Sequence, residues 1–420
     1  VTALRAEGVY KIFGRRPGEA LRRLRDGATR DEVRPWGTAA VIDATFEVAS
    51  GETFVVMGLS GSGKSTLIRM LNGLWRPTEG RILLGDDDLA RVDAKRLREL
   101  RRRRVSMVFQ HFALLPHRTV LENAAYPLEI QGVDVAERRR RAGEALELVG
   151  LSGWGDVVPA QLSGGMRQRV GLARALAADT DVLLMDEAFS ALDPLIRREM
   201  QDQLLDLQQQ LGKTIVFITH DLNEAMYLGD RIAVMRDGRI VQVGTGEQVL
   251  SEPADEYVAQ FVADVDRSRV LTAGSVMRPP AVTVQVTAGP RQVLRTLREQ
   301  QLPAAYVVDR RRVLQGVVRD ADVVTALRSG AAALTDALER DVTSVTPTTP
   351  LADVFAPAAE SALPVPVVDD ERRLVGVIPR VTLLEAMTPA DIVPADDLPR
   401  TPPEGSPLPG AVTTEPEVVA

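Results

Sequence analysis

The chain contains no cysteine in its 420 residues. That excludes a disulfide framework, thiolate metal sites and a cysteine nucleophile, and it fits a reducing compartment. Histidine is scarce too, with only His111, His117 and His220. No apolar run approaches the roughly 20 residues that cross a bilayer, and no leader segment is visible at the start. The chain is therefore expected to be soluble and to need a partner for any membrane role. A basic excess is also lacking: 51 Lys and Arg stand against 58 Asp and Glu, for a net charge of −7. That balance argues against general nucleic-acid binding. What is present is enough apolar material, 45%, to build real cores, and a length that predicts two or three domains.

Residues 1–14 read as a strand and turn ending in "VYKIFG". Residues 15–38 are arginine-rich with helical spacing and look inserted before the strand "AAVIDATFEV". From Gly51 to about Val249, short apolar strands alternate with amphipathic helices. "TFVVMG", "DVLLMDE", "KTIVFITH" and "RIAVMRDG" are the clearest strands. This alternation predicts a mainly parallel α/β sheet covered on both faces. A helical linker follows over 251–270. A weak repeat then relates 302–327 to 363–387, each reading strand, turn, strand, helix. Two such copies are expected to stack on each other. The reading divides the chain at 1–250, 251–270, 271–330, 331–388 and 389–420. The last stretch, crowded with proline and acid, is expected to be disordered.

"GLSGSGKST" (58–66) follows an apolar strand and opens a helix. Gly58, Gly61 and Gly63 let backbone N–H groups wrap phosphate oxygens, with Ser60, Ser62 and Thr66 in the same loop. Lys64 would neutralise the β- and γ-phosphates of ATP, and Ser65 would bind Mg²⁺. Asp186, at the end of a buried strand, suits the Mg²⁺ shell. Glu187 suits a general base, or an orienter, for an attacking water. His220 closes another strand at the end where ligands of such sheets gather, and reads as a γ-phosphate contact. Gln110 ends a further strand, where it would touch Mg²⁺ and the water. His111 and His117 read as structural or surface residues. "LSGG" (162–165) opens a helix with small residues, which makes an anion site. No lysine follows it, so the phosphate it serves remains open on these residues alone.

Phosphate loop, Gln110, "LSGG", "LLMDE", "SALD" (190–193) and His220 occur in the order found in ABC-transporter ATPases, which residues 1 to about 250 resemble. The resemblance implies a P-loop ATPase with a helical signature subdomain, acting as a head-to-tail dimer. Ser163, Gly164 and Gly165 would then hold the γ-phosphate of ATP bound to the other subunit, and Asp193 would join the same site. Met166 stands where the commonest version has Gln. Phe13 matches the aromatic that stacks on adenine, with Tyr10 as the alternative. The motifs look like those of the glycine betaine/proline importer subfamily, of which the 15–38 segment is also typical.

The repeat over 270–387 resembles a pair of α+β cystathionine-β-synthase (CBS) domains. In such pairs an Asp often holds a nucleotide ribose. The first copy keeps Asp322 but carries Arg319 in place of Ser or Thr, and the second has Pro379 and Thr382. Arg310, Arg311 and Arg312 sit at a turn, where a basic tip could meet anionic lipid. "LRELRRRR" (97–104) reads as a solvated helix face.

The resulting expectation is an ATP-hydrolysing, Mg²⁺-dependent subunit at the cytoplasmic face of the membrane. It would drive a separate permease, and indirectly an extracytoplasmic binding protein, to import a compatible solute. Its CBS pair would respond to ionic conditions or to an adenine nucleotide. The rivals are an ABC ATPase acting in DNA repair or translation, a nucleotide sensor without hydrolysis, and an importer ATPase for a different small solute.

Overall fold

The computed structural model describes residues 2–110, 113–263, 265–331 and 333–387. His111 and the proline-rich stretch 389–420 lie outside them. The apolar strands Thr53–Met57, Val182–Asp186 and Thr214–Thr219 are buried at every position. A strand without polar alternation needs cover on both faces, and a parallel sheet between helices provides it. These three join Val105–Val108, Arg231–Arg236 and Arg239–Gly244 in a six-stranded sheet. Only the last pair is antiparallel. Register makes the strand ends level: Met57 faces Thr219, Asp186 faces Ile218 and Val108 faces Met185. The loops that leave these ends therefore share one edge of the sheet.

The strands Thr2–Phe13 and Thr38–Ala49 pair antiparallel and continue through Glu79–Leu84 to Asp87–Asp88. The arginine-rich insertion between the first two forms the helix Pro17–Arg25. Its Ala20, Leu21 and Leu24 pack on Tyr10, Ile12 and Ile42 in a small core of their own. The segment closes where Gly14 meets Gly37: a Cβ on Gly14 would stand 2.7 Å from the Gly37 Cα. A helical layer of Val120–Gln131, Val135–Leu148 and Gly164–Ala177 packs together beside the sheet. The helix Ala94–Arg103 exposes most of its arginines and buries Leu100, as a solvated face should.

The two repeat copies have the expected order. Ala304–Val308, Leu314–Arg319 and Asp320–Arg328 form one, and Val365–Val368, Leu374–Ile378 and Arg380–Met387 the other. They stack through Tyr306, Val308 and Leu314 against Val368, Leu374 and Val377. Leu314 N donates to Arg372 O and Leu374 N to Arg312 O, both at 2.9 Å. The exposed turn carrying Arg310, Arg311 and Arg312 thus lies against the turn carrying Asp369, Asp370 and Glu371. Asp369 and Glu371 of that facing turn pair with its own Arg373.

Two packing features cut across the expected divisions. Val249, Leu250, Val258, Val262 and Val265 belong to the same core as Met57, Met185 and Phe217, so much of the linker is built into the first domain. Leu271 and Ala273 are buried with Val354, Val365 and Ile378 of the second copy, whereas Leu334 and Ala337 are buried in the first. The copies therefore interlock. Leu271→Ala should cost about 2–5 kcal/mol in the stability of the C-terminal module, as for other buried Leu→Ala changes. Calorimetry checks it: a shift below about 0.5 kcal/mol would make Leu271 mere linker.

Candidate nucleotide site

Residues 58–63 leave the end of Thr53–Met57 and turn into the helix Lys64–Leu71. Two glycines are required there. Gly58 has φ +151°, and a Cβ on it would stand 2.1 Å from Met235 O; Gly63 has φ +106°, and its Cβ would stand 2.1 Å from Ala40 O. Around Gly61 nothing lies within 4 Å of such a Cβ. The loop is thus seated at both ends and open at its middle. Ser62 Oγ is buried without a hydrogen-bond partner, a group that a phosphate oxygen could satisfy. Lys64 is 4% exposed, and its Nζ donates to Gly58 O at 2.7 Å and Leu59 O at 3.1 Å. Burial lowers its pKa, against the opposing pull of the Glu187 and Asp186 charges.

Ser65 Oγ lies 3.2 Å from Asp186 Oδ1. Asp186 is buried, and burial raises its pKa despite the Ser65 hydrogen bond. No cluster of three or more metal-ligating side chains occurs among the described residues. A Mg²⁺ here would rest on Ser65 and Asp186, completed by phosphate oxygens and water, which is the usual habit of that ion.

Glu187 sits one residue further, with φ +46°. A side chain in that region costs of order 1–3 kcal/mol and needs a surrounding that over-determines it. Pairing to the next strand supplies part of this, since Glu187 N donates to Ile218 O at 2.9 Å. Two side chains then converge on one carboxylate oxygen, Glu187 Oε2. Gln110 Nε2 is 3.1 Å away and His220 Nδ1 3.2 Å. The level strand ends thus bring Lys64, Gln110, Asp186, Glu187 and His220 to one edge, as the motifs predict.

The adenine-side aromatics are also sorted. Phe13 is 38% exposed and meets Trp75 edge to face at 5.1 Å. Lys11 Nζ stands 5.0 Å from the Phe13 ring. Tyr10 is 8% exposed and locked into the insertion's core, so Phe13 is the aromatic presented outward and the Tyr10 alternative falls. Trp75 escaped the sequence reading because its place beside Phe13 depends on strand pairing with the segment after the phosphate-loop helix.

Ser163 caps the helix Gly164–Ala177, its Oγ accepting from Met166 N at 3.2 Å. The Cβ position on Gly164 is open, whereas one on Gly165 would stand 2.7 Å from Ile196 Cγ2. Asp193 likewise caps Pro194–Leu211 through Ile196 N. No hydrogen bond joins Ser163, Gly164 or Gly165 to residues 58–66 of the same chain among the described residues.

The chain matches the ABC transporter family over residues 41–190 and the CBS domain family over 273–329 and 334–389. It is 50% identical to the glycine betaine transport ATP-binding protein of Bacillus subtilis, with 91% of this chain and 92% of that protein covered. The chain belongs to the ABC-transporter ATPase family. A second relative, the glycine betaine/carnitine transport ATP-binding protein of Listeria monocytogenes, is 48% identical, with 92% and 98% covered. A bacterial ABC transporter cassette solved as a dimer is 32% identical, with a TM-score of 0.50, over 58% of this chain and 98% of that one. This ATPase therefore binds and hydrolyses ATP.

Two clefts involve the linker and the CBS pair. Asp322 is exposed on the first turn of Asp320–Arg328. It does not line the cleft of about 350 Å³ between the copies, where Tyr306, Arg319, Glu339, Asp341 and Ser361 do. A second cleft of about 380 Å³ brings Arg197 and Asp221 together with Asp266 and Arg269 of the linker.

The burial of Asp186 has a thermodynamic sign. Its carboxyl titrates higher in the folded chain than in the unfolded one, so its contribution to stability is fully present below the unfolded value. That contribution is lost as pH rises through the folded value. At neutral pH, nucleotide-free Asp186→Asn should melt at or above wild type, and the gap should close as pH falls toward the acid range. A variant that melts lower at neutral pH would show that the buried charge is already compensated.

Proposed function

We propose that this ATPase is the peripheral, cytoplasmic-face subunit that powers import of quaternary ammonium solutes of the glycine betaine and proline type. The roughly half-identity to glycine betaine transport proteins along nearly their whole length supports the solute class. No helix among the described residues is long and apolar enough to cross a membrane, which fits a chain working on a separate permease. A groove of about 590 Å³ suits that contact. Val105, Phe109, Tyr126 and Ile130 give it an apolar floor, with Arg98 and Arg102 at its side.

One observation carries the mechanism: Gln110 and His220 both hold Glu187 Oε2, one residue past buried Asp186. The phosphate loop and Lys64 would bind the triphosphate of ATP, and Phe13 its base. Mg²⁺, held by Ser65 and Asp186, would offset charge on the β- and γ-phosphates. Glu187 would orient and deprotonate the attacking water, and Gln110 and His220 would keep its carboxylate aimed. In a head-to-tail dimer, Ser163, Gly164 and Gly165 would close on the partner's γ-phosphate, their helix N-terminus adding N–H donors. Asp193, beside Ile196, would couple that closure to the hydrolytic edge. We further propose that residues 1–270 act as the motor and the CBS pair as its regulator, responding to ionic conditions through the 246–270 segment.

Glu187→Gln keeps ATP binding and lowers turnover by at least about a hundredfold, the usual scale of a lost general base, while an ATP-stabilised dimer accumulates. Steady-state hydrolysis and light scattering with Mg-ATP check it; near-normal turnover would remove Glu187 from the role. For the regulator, a chain stopped after Val270 keeps every linker side chain that packs on the motor. In liposomes with the permease it should transport at a rate largely independent of salt, unlike the full chain. An unchanged salt threshold would rule out ionic control by this module. A response to an added adenine nucleotide that Asp322→Ala abolishes would favour ligand control.

A further inference from the structure

The insertion over 15–38 does more than cover its own strand. Beyond its helix the chain turns back, and Arg30 reaches three separate elements. Its Nε donates to Ala39 O at 2.9 Å, its Nη2 to Gly61 O at 3.1 Å, and its Nη1 lies 3.4 Å from Asp237 Oδ1. Gly61 is the middle of the phosphate loop, where an added Cβ would meet nothing within 4 Å. The next carbonyl is taken as well, since Gly238 N donates to Ser62 O at 3.0 Å. Peptide planes make this consequential. In a trans peptide the carbonyl and the following N–H point opposite ways. With the Gly61 carbonyl pinned from outside, the Ser62 N–H closes a turn within the loop on Leu59 O at 3.2 Å, and with the Ser62 carbonyl pinned the Gly63 N–H is turned toward the loop's interior, where a phosphate would sit.

We propose that Arg30 is a positioning residue of the nucleotide site, by which the insertion fixes the phosphate loop in its anion-binding form. The guanidinium is suited to this. Its planar fork serves three acceptors without changing rotamer. Lys could satisfy only part of the set. Arg30 sits on the outer face of the loop and does not itself touch the phosphates. Its effect is preorganisation: without it, binding ATP must first order the loop, and that ordering weakens affinity. Turnover of the bound nucleotide depends on Glu187 and should change little.

The inference rests on reading residues 58–66 as the phosphate cradle, and the experiment separates the two. In the full-length chain, a fluorescent ATP analogue is titrated into wild type, Lys64→Ala, Arg30→Ala, Arg30→Lys and Asp237→Asn, with KM and kcat for ATP measured in parallel. Loss of binding in Lys64→Ala tests the cradle alone. Arg30→Ala should raise the Kd and the KM about five- to tenfold, with kcat within twofold and the melting temperature nearly unchanged. Arg30→Lys should recover part of the loss. Asp237→Asn leaves both carbonyl contacts in place and should stay within twofold of wild type. If Arg30→Ala binds and turns over like wild type while Lys64→Ala does not bind, the inference is wrong. If Arg30→Ala fails to fold, Arg30→Gln replaces it, and an unaltered KM in that variant overturns the inference equally.

Discussion

Lys64 is a cation held out of water with no carboxylate within ion-pair distance among the described residues. Its ammonium is satisfied by two carbonyls of its own loop, and the nearest help from charge is the more distant pull of Asp186 and Glu187. Asp186 is the matching case, an acid whose burial opposes its ionisation. Buried charges without direct partners lower stability. A fold keeps them only where something else holds them, or where a ligand offsets their cost. A nucleotide triphosphate with its cation presents both missing signs at once, and binding to the native state alone stabilises it by mass action. The site is therefore built at the expense of the nucleotide-free chain.

Holding those charges is a task for the surrounding backbone. Gly58 and Gly63 let the loop sit under Met235 O and Ala40 O, closer than any side chain would allow. The parallel register sets Thr219 level with Met57 and Asp186 level with Ile218, one residue earlier, so carboxylate and histidine reach the loop without long connections. Glu187 is forced into a left-handed conformation by the turn that follows its strand. Its single oxygen shared by Gln110 and His220 then couples three strand ends through one atom. Movement of any of the three displaces the Glu187 carboxylate.

Most of this edge was legible from the chain because each element is local. A glycine-rich loop, a run of apolar residues ending in two acids, and a strand ending in histidine each announce themselves within ten residues. The repeat was legible for the same reason, and its two copies stack as expected. The insertion's helix was also visible in its spacing. What escaped depends on contacts distant in sequence. Arg30 is one arginine among several in 15–38, and nothing nearby distinguishes the one that reaches Gly61. Trp75 meets Phe13 only after two strands have paired. A division at 330 puts Leu271 with the first copy and Leu334 with the second, yet Leu271 closes the core of the second and Leu334 that of the first. The linker's apolar positions fit a free amphipathic helix as well as they fit the motor's core that they fill.

That last point bears on how a regulator could act here. A flexible tether would pass on nothing but proximity, because its conformational freedom absorbs any displacement. The segment from Gly246 to Ala273 has little such freedom. Val258 and Val262 are anchored in the motor, Leu271 and Ala273 are anchored in the second CBS copy, and fewer than ten residues separate the two anchorages. Between them, Asp266 and Arg269 share a cleft with Arg197 and Asp221. Arg197 follows Asp193 by one helical turn, and Asp221 follows His220 directly. A rotation of the C-terminal module would thus be felt first at the two loops that adjoin the hydrolytic edge. The same segment also reaches the phosphate loop, since Tyr257 hydrogen-bonds the backbone of Leu59, two residues before the Gly61 carbonyl that Arg30 holds. A regulator acting through this segment, as proposed, would therefore bear on both turnover and nucleotide affinity, whereas the proposed role of the insertion bears on affinity alone.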